Sequence, residues 1–230
     1  MPRRGLFVTG TGTGVGKSVV AAAIVAGLAA RGIRVAAFKP AVSGLDEPTP
    51  GWPMDHELLA GATGWQDPDS VSPHTFGPAV SPHLAAAQAG VTIELDSLLT
   101  AFDEAAASAD VTICEGVGGL LVPLAETPEL SVLDFAKALG FPVIVATHPG
   151  LGTISDTRLT VDRLEHEGLD VAGVVLSGWP DSPGAIERSN LETLRRLLRA
   201  EVTTLGQTSP QRLAEDAAGL PLARWLREPN

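Results

Sequence analysis

The sequence predicts a doubly wound α/β fold, a mainly parallel sheet with helices on both faces, formed by a single domain over residues 1–230. Short apolar, β-branched runs alternate with longer helical patterns, and a glycine-rich turn joins the first run to the first helix. The runs are apolar throughout, as strands buried on both faces must be.

Strands are expected at Leu6–Thr9, Val35–Phe38, Val111–Cys114, Val143–Ala146 and Val171–Leu176. Helices are expected at Lys17–Arg31, Ser97–Ser108, Ser131–Leu139, Ile154–His166 and Pro183–Leu198, with a further one entered through Ser81-Pro82 and running to Ala89. There the serine can cap free amides and the proline suits the first helical position. Prolines and glycines between Ser43 and Pro82 predict irregular loops around one short helix near His56–Ala62. In this architecture the loops leaving the strand ends form the ligand crevice.

Composition narrows the function. Of 230 residues, 44% are hydrophobic and 19% charged, which allows a sizeable core. The formal net charge of −11 disfavours nucleic acid and anionic membrane, whose binding depends on lysine and arginine replacing counterions. Cys114 is the only cysteine, and the histidines fall at no zinc spacing. The segment Met1–Thr9 runs into a strand with no apolar signal core, and the apolar stretch Val19–Ala30 is too short for a bilayer span. A reducing, cytoplasmic setting fits these features.

The first strand leads into Gly10-Thr11-Gly12-Thr13-Gly14-Val15-Gly16-Lys17-Ser18 and then a helix. Glycines let such a turn curl so that its N–H groups face phosphate oxygens, and the helix N-terminus adds favourable partial charge. Lys17 can reach the β- and γ-phosphates, and Ser18 offers a hydroxyl to Mg²⁺. Gly10 and Gly16 stand one residue further apart than in the common phosphate loop, and the dinucleotide pattern GxGxxG does not fit.

Thr9–Ser18 closely resembles the long phosphate loop of dethiobiotin synthetases. Three further stretches match that family in order: Phe38-Lys39-Pro40 with Ser43-Gly44, Ser81-Pro82-His83 with Ala85-Ala86, and Glu115-Gly116-Val117-Gly118-Gly119. The resemblance covers roughly Leu6 to Asn190. It implies an ATP-dependent ligase that joins CO₂ to 7,8-diaminopelargonic acid, giving dethiobiotin, ADP and phosphate in biotin synthesis. An amine first captures CO₂ as a carbamate, a carbamate oxygen attacks the γ-phosphate, and the second amine closes the ring as phosphate leaves.

The same resemblance assigns roles. Lys17, Lys39 and Thr13 would be catalytic, with Lys39 against the carbamate and γ-phosphate; Thr13 and Ser43 would donate hydrogen bonds to the carbamate or the amine end. Nucleotide contacts would come from Thr13, Gly14, Val15, Gly16, Lys17, Ser18, Val19, Asp55, Glu115, Gly116, Val117 and Gly118, with Ser177 and Gly178 at the base. Mg²⁺, which takes one or two carboxylates and keeps several waters, would sit on Ser18, Glu115 and Asp55. Gly152, Thr153, Ile154 and Ser155 open a helix whose free amides suit the substrate carboxylate. In the family this occurs across a homodimer interface, so that two subunits share each site.

Plainer readings exist for single residues. A lysine at a strand end is commonly solvated, an isolated aspartate such as Asp55 commonly caps a helix, and Thr153 or Ser155 can do the same. Cys114 reads as a small buried hydrophobe. The match also weakens in places. Gly14 replaces an acidic residue of many family members, Ser177-Gly178 replaces a base-reading Asn-Asp, and Gln207-Thr208-Ser209-Pro210 replaces a more apolar segment. Two other P-loop classes compete. A cobyrinate-amidotransferase-like synthetase would need an appended glutaminase domain, and a partitioning-type ATPase carries an extra lysine early in the loop, where positions 10 to 16 have none.

Overall fold

The computed structural model describes residues 4–48 and 50–227. Residues 1–3, part of the segment read for an export signal, lie outside the described residues, as do residues 49 and 228–230.

The chain opens with β1 (Gly5–Gly10), α1 (Lys17–Ala29), β2 (Val35–Phe38) and the two-residue β3 (Val42–Ser43). Then follow α2 (Asp55–Thr63), α3 (Pro68–Val71), β4 (Thr75–Phe76), α4 (Pro82–Ala89), α5 (Leu95–Ala106) and β5 (Val111–Glu115). After a small hairpin of β6 (Pro123–Glu126) and β7 (Glu129–Ser131) come α6 (Val132–Leu139), β8 (Val143–Thr147), α7 (Thr153–His166) and β9 (Val171–Trp179). The chain ends in α8 (Ala185–Leu197), β10 (Glu201–Gly206), α9 (Leu213–Asp216) and α10 (Leu222–Trp225).

Six strands form the main sheet in the order β10-β9-β8-β1-β5-β2, and every pair is parallel. The five expected strands are all present, and β10 is an addition. Its Glu-Val-Thr-Thr-Leu-Gly sequence buries only Val202 and Leu205, because an edge strand need not be apolar on both faces. At the other edge, Gln66 closes β2: its Oε1 accepts from Ala37 N (2.6 Å) and its Nε2 donates to Ala37 O (3.2 Å). A covered edge cannot template pairing with another chain.

The pleat separates two cores. Leu6, Val8, Ala37, Ile113 and Ile144 face α1, α2 and the C-terminal helices, whereas Phe7, Phe38, Cys114 and Val145 face α5, α6, α7 and α8. Connections from β1 and β8, neighbours in the sheet, run in opposite directions, to β2 and β9. Their loops therefore diverge at the strand C-termini and leave a crevice there.

Candidate active site

Register alone brings the first charged groups together. Phe38 of β2 pairs with Cys114 of β5, so Lys39 and Glu115, one residue further on each strand, stand opposite one another. Both continue the alternation of the face that α1 covers, after Val35 and Ala37 on one strand and Val111 and Ile113 on the other. The first turn of α1 delivers Lys17 and Ser18 to the same rim, and α2 begins there with Asp55.

Lys39 Nζ lies 2.5 Å from Glu115 Oε1 and 2.6 Å from Asp55 Oδ2. Ser18 Oγ donates to the same Glu115 oxygen at 2.8 Å, and Glu115 Oε2 has no hydrogen-bond partner although it is buried. Burial works against the Lys39 charge, yet Asp55 and then Glu115 outweigh it and hold its pKa above the ordinary lysine value. Burial also pushes the Glu115 carboxyl up, against the pull of Lys39. For Asp55 burial is opposed more strongly, and the Lys39 charge holds its pKa below the ordinary range. Asp55 does not cap α2; its carboxylate turns to Lys39, and Met54 occupies the capping position.

This donor set suits Mg²⁺. One hydroxyl and two carboxylates face a phosphate-binding loop, and one carboxylate oxygen lacks a partner. Among the described residues no three His, Cys, Asp or Glu side chains gather as a metal site, so phosphate oxygens and water would have to complete the shell.

The cleft above these groups has a volume of about 730 Å³. Of the expected residues, Thr13, Gly14, Gly16, Lys17, Ser18, Val19, Lys39, Ser43, Asp55, Val117 and Gly118 line it. Gly16 adopts φ 87°, and a Cβ there would lie 2.3 Å from Ser177 Oγ, so the loop can pass over β9 only as glycine. That contact sets Ser177 beside the phosphate loop. Lys17 Nζ donates back to Gly12 O at 2.9 Å, and burial lowers its pKa. Ser43 commits its proton to Val80 O (2.6 Å), which leaves it an acceptor toward the cleft rather than the expected donor.

Other expected residues lie elsewhere. Val15 packs into the core and Gly116 is buried, so each could offer a ligand only its backbone. Residues 152–155 are absent from the cleft lining. Gly152 is the N-cap of α7 with φ 97° and no side-chain cap, so neither Thr153 nor Ser155 caps the helix; Thr153 is buried and bonds to Thr147 Oγ1 at 2.8 Å. Gly14 has φ 75° and open space where a Cβ would stand.

Among the cleft-wall residues that the sequence reading did not assign to the site are Ser81 and Trp52. Ser81 starts α4 as expected, but its side chain makes no capping bond and it lines the cleft. Trp52 also lines it, from the proline- and glycine-rich loop; a large aromatic three residues before Asp55 was the available signal.

An AAA domain family model matches residues 4–215. The ATP-dependent dethiobiotin synthetase BioD of Anaeromyxobacter dehalogenans is 45% identical over 183 residues, 78% of this chain and 80% of that protein. The protein of the same name from Frankia casuarinae is 41% identical over 193 residues, 84% and 79% of the two chains. Among solved structures, the septum site-determining protein MinD of Pyrococcus horikoshii, complexed with Mg-ADP, is similar at a TM-score of 0.51 and 18% identity, over 100% of this chain and 90% of that one. A ParA family ATPase of Chlorobium tepidum gives 0.54 and 14%, over 99% and 94%. At such identities the structural likeness speaks to the fold alone. The relatives at 41–45% identity speak to more, and by them this chain belongs to the ATP-dependent dethiobiotin synthetase family.

Proposed function

We propose that this chain is a cytoplasmic, single-domain ligase that uses ATP and Mg²⁺ to convert 7,8-diaminopelargonate and CO₂ to dethiobiotin, acting as a homodimer with shared sites. One observation carries the reading: Lys39, held between Asp55 and Glu115, stands at the floor of the cleft that the phosphate loop borders. Bound Mg²⁺ would neutralise charge on the transferring phosphate from Ser18, Asp55 and Glu115. Lys17 would leave Gly12 O for the β- and γ-phosphates, and Lys39 would hold the carbamate oxygen in line with the γ-phosphorus. Ser43, as an acceptor, suits the substrate amine. The later step needs that amine beside the activated carbonyl, and the cleft supplies the confinement.

The shared site is supported by the placement of residues 152–155 outside the cleft of their own chain. Apolar surface supports it too: Leu151 is 88% exposed at the start of α7, with Leu159 and Ile186 also exposed on α7 and α8. Hybrid dimers test this part. Pairing a Lys39→Ala subunit with one disabled at Thr153 should regenerate some working sites, and no recovery in verified hybrids would leave each site within one chain.

Oxygen transfer tests the chemistry. With ¹⁸O-labelled bicarbonate in a short reaction, the phosphate released should carry one labelled oxygen, because a carbamate oxygen attacks phosphorus. Phosphate whose new oxygen comes from water would overturn the reading.

A further inference from the structure

The rim of the sheet carries a second constellation on its other face, of which the reading above uses only Thr153. Gly10 pairs with Ala146, so Thr11 of the phosphate loop stands opposite Thr147 at the end of β8. Both follow the alternation of Phe7, Val143 and Val145, toward α7. The first turn of α7 brings Thr153 and Thr157 to meet them.

The Thr147 hydroxyl lies 3.2 Å from Thr11 Oγ1 and 2.8 Å from Thr153 Oγ1, and it accepts from Thr157 Oγ1 at 3.1 Å. A hydroxyl has one proton to give and two lone pairs. With one lone pair taken by Thr157, Thr147 donates to one of Thr11 and Thr153 and accepts from the other, so its capacity is filled. Thr147, Thr153 and Thr157 have no exposed surface. A buried, saturated hydroxyl is costly to leave unpaired, so these partners hold one arrangement.

We propose that the Thr147 hydroxyl is a positioning group that ties the phosphate loop to the first turn of α7, so that a nucleotide on the loop and a carboxylate at the start of α7 strengthen each other's binding. This rests on the reading of residues 152–155 as the carboxylate site. Ordering the loop fixes Thr11, Thr11 fixes Thr147, and Thr147 fixes Thr153 beside the amides that the carboxylate would meet. In a dimer with shared sites, the coupling would run from the nucleotide of one site to the substrate tail of the other.

Calorimetry on the intact protein tests it, with a non-hydrolysable Mg-ATP analogue and diaminopelargonate, each titrated with and without the other at saturation. Wild type should show mutual tightening of about fivefold or more, the low end of ordinary coupling between sites. Thr147→Val, which keeps the shape and removes the hydroxyl, should reduce that factor by at least about threefold while each ligand alone still binds. Thr147→Ser should restore it. Direct contacts between the two ligands are common to all three proteins and cancel in the ratio.

Unchanged coupling in Thr147→Val, or none in wild type, overturns the positioning role. Ser155→Asp separates this from the underlying reading, since a like charge at the start of α7 should weaken diaminopelargonate. If it does not, the carboxylate assignment falls and the proposal with it. If it does, and Thr147→Val still couples fully, only the positioning role falls.

Discussion

One buried ammonium bridges two carboxylates: Lys39 Nζ reaches Glu115 Oε1 at 2.5 Å and Asp55 Oδ2 at 2.6 Å. Glu115 has no exposed surface, so losing Lys39 strands its charge, and breaking such a buried pair costs about 3 kcal/mol. Lys39→Met should therefore lose stability as well as turnover. Adding Glu115→Gln in the same chain should recover most of the stability and none of the turnover, read by denaturant unfolding and kcat. A Lys39→Met protein as stable as wild type would mean that Glu115 takes up a proton once its partner is gone.

Glu115 accepts from Ser18 and Lys39 through one oxygen and has the other unpartnered, whereas Asp55 is half-exposed at the rim. Glu115→Gln should raise the Mg²⁺ needed for half-maximal activity by about tenfold or more, and Asp55→Asn by less. A wild-type Mg²⁺ titration in Glu115→Gln would remove that residue from the metal.

Burial lowers the Lys17 pKa from its ordinary 10.5, with Glu115 pulling the other way. A triphosphate requires the charged form. Nucleotide affinity should then be greatest below the free-protein pKa and fall as pH rises through it, beginning below 10.5. Lys17→Arg stays charged and should bind more weakly but without this alkaline limb. The same limb in both proteins would assign the titration to another group.

The fold was legible because the central strands are buried on both faces and so read as apolar runs, and the phosphate loop because Gly14 and Gly16 take positive φ that favours glycine. β10 was hidden by its polar edge, and the β6–β7 hairpin by its brevity. At the site, Lys39 and Glu115 could be placed at strand ends, but their pairing depends on the β2–β5 register, which no local pattern encodes. Thr147 was invisible for the same reason: a threonine closing an apolar strand gains meaning only when Thr11 and Thr153 are brought against it.

Ser177 lies under Gly16, beside the loop, and offers one short hydroxyl where a base-reading pair would stand. A site that hydrogen-bonds a particular base can reject others by ~10⁴-fold, and one without such groups loses that leverage. kcat/KM for ATP, GTP and CTP should therefore fall within about two orders of magnitude. An ATP preference above about a thousandfold would mean that groups around residues 206–210 read adenine.

The most direct measurement is product formation from diaminopelargonate, bicarbonate, Mg²⁺ and ATP, with dethiobiotin and phosphate quantified together. The two should appear in equal amounts, and phosphate release should stop when diaminopelargonate is withheld. Phosphate released at the same rate without the diamino acid, and no dethiobiotin with it, would make this chain a nucleotide switch of the partitioning type and contradict its assignment as a ligase.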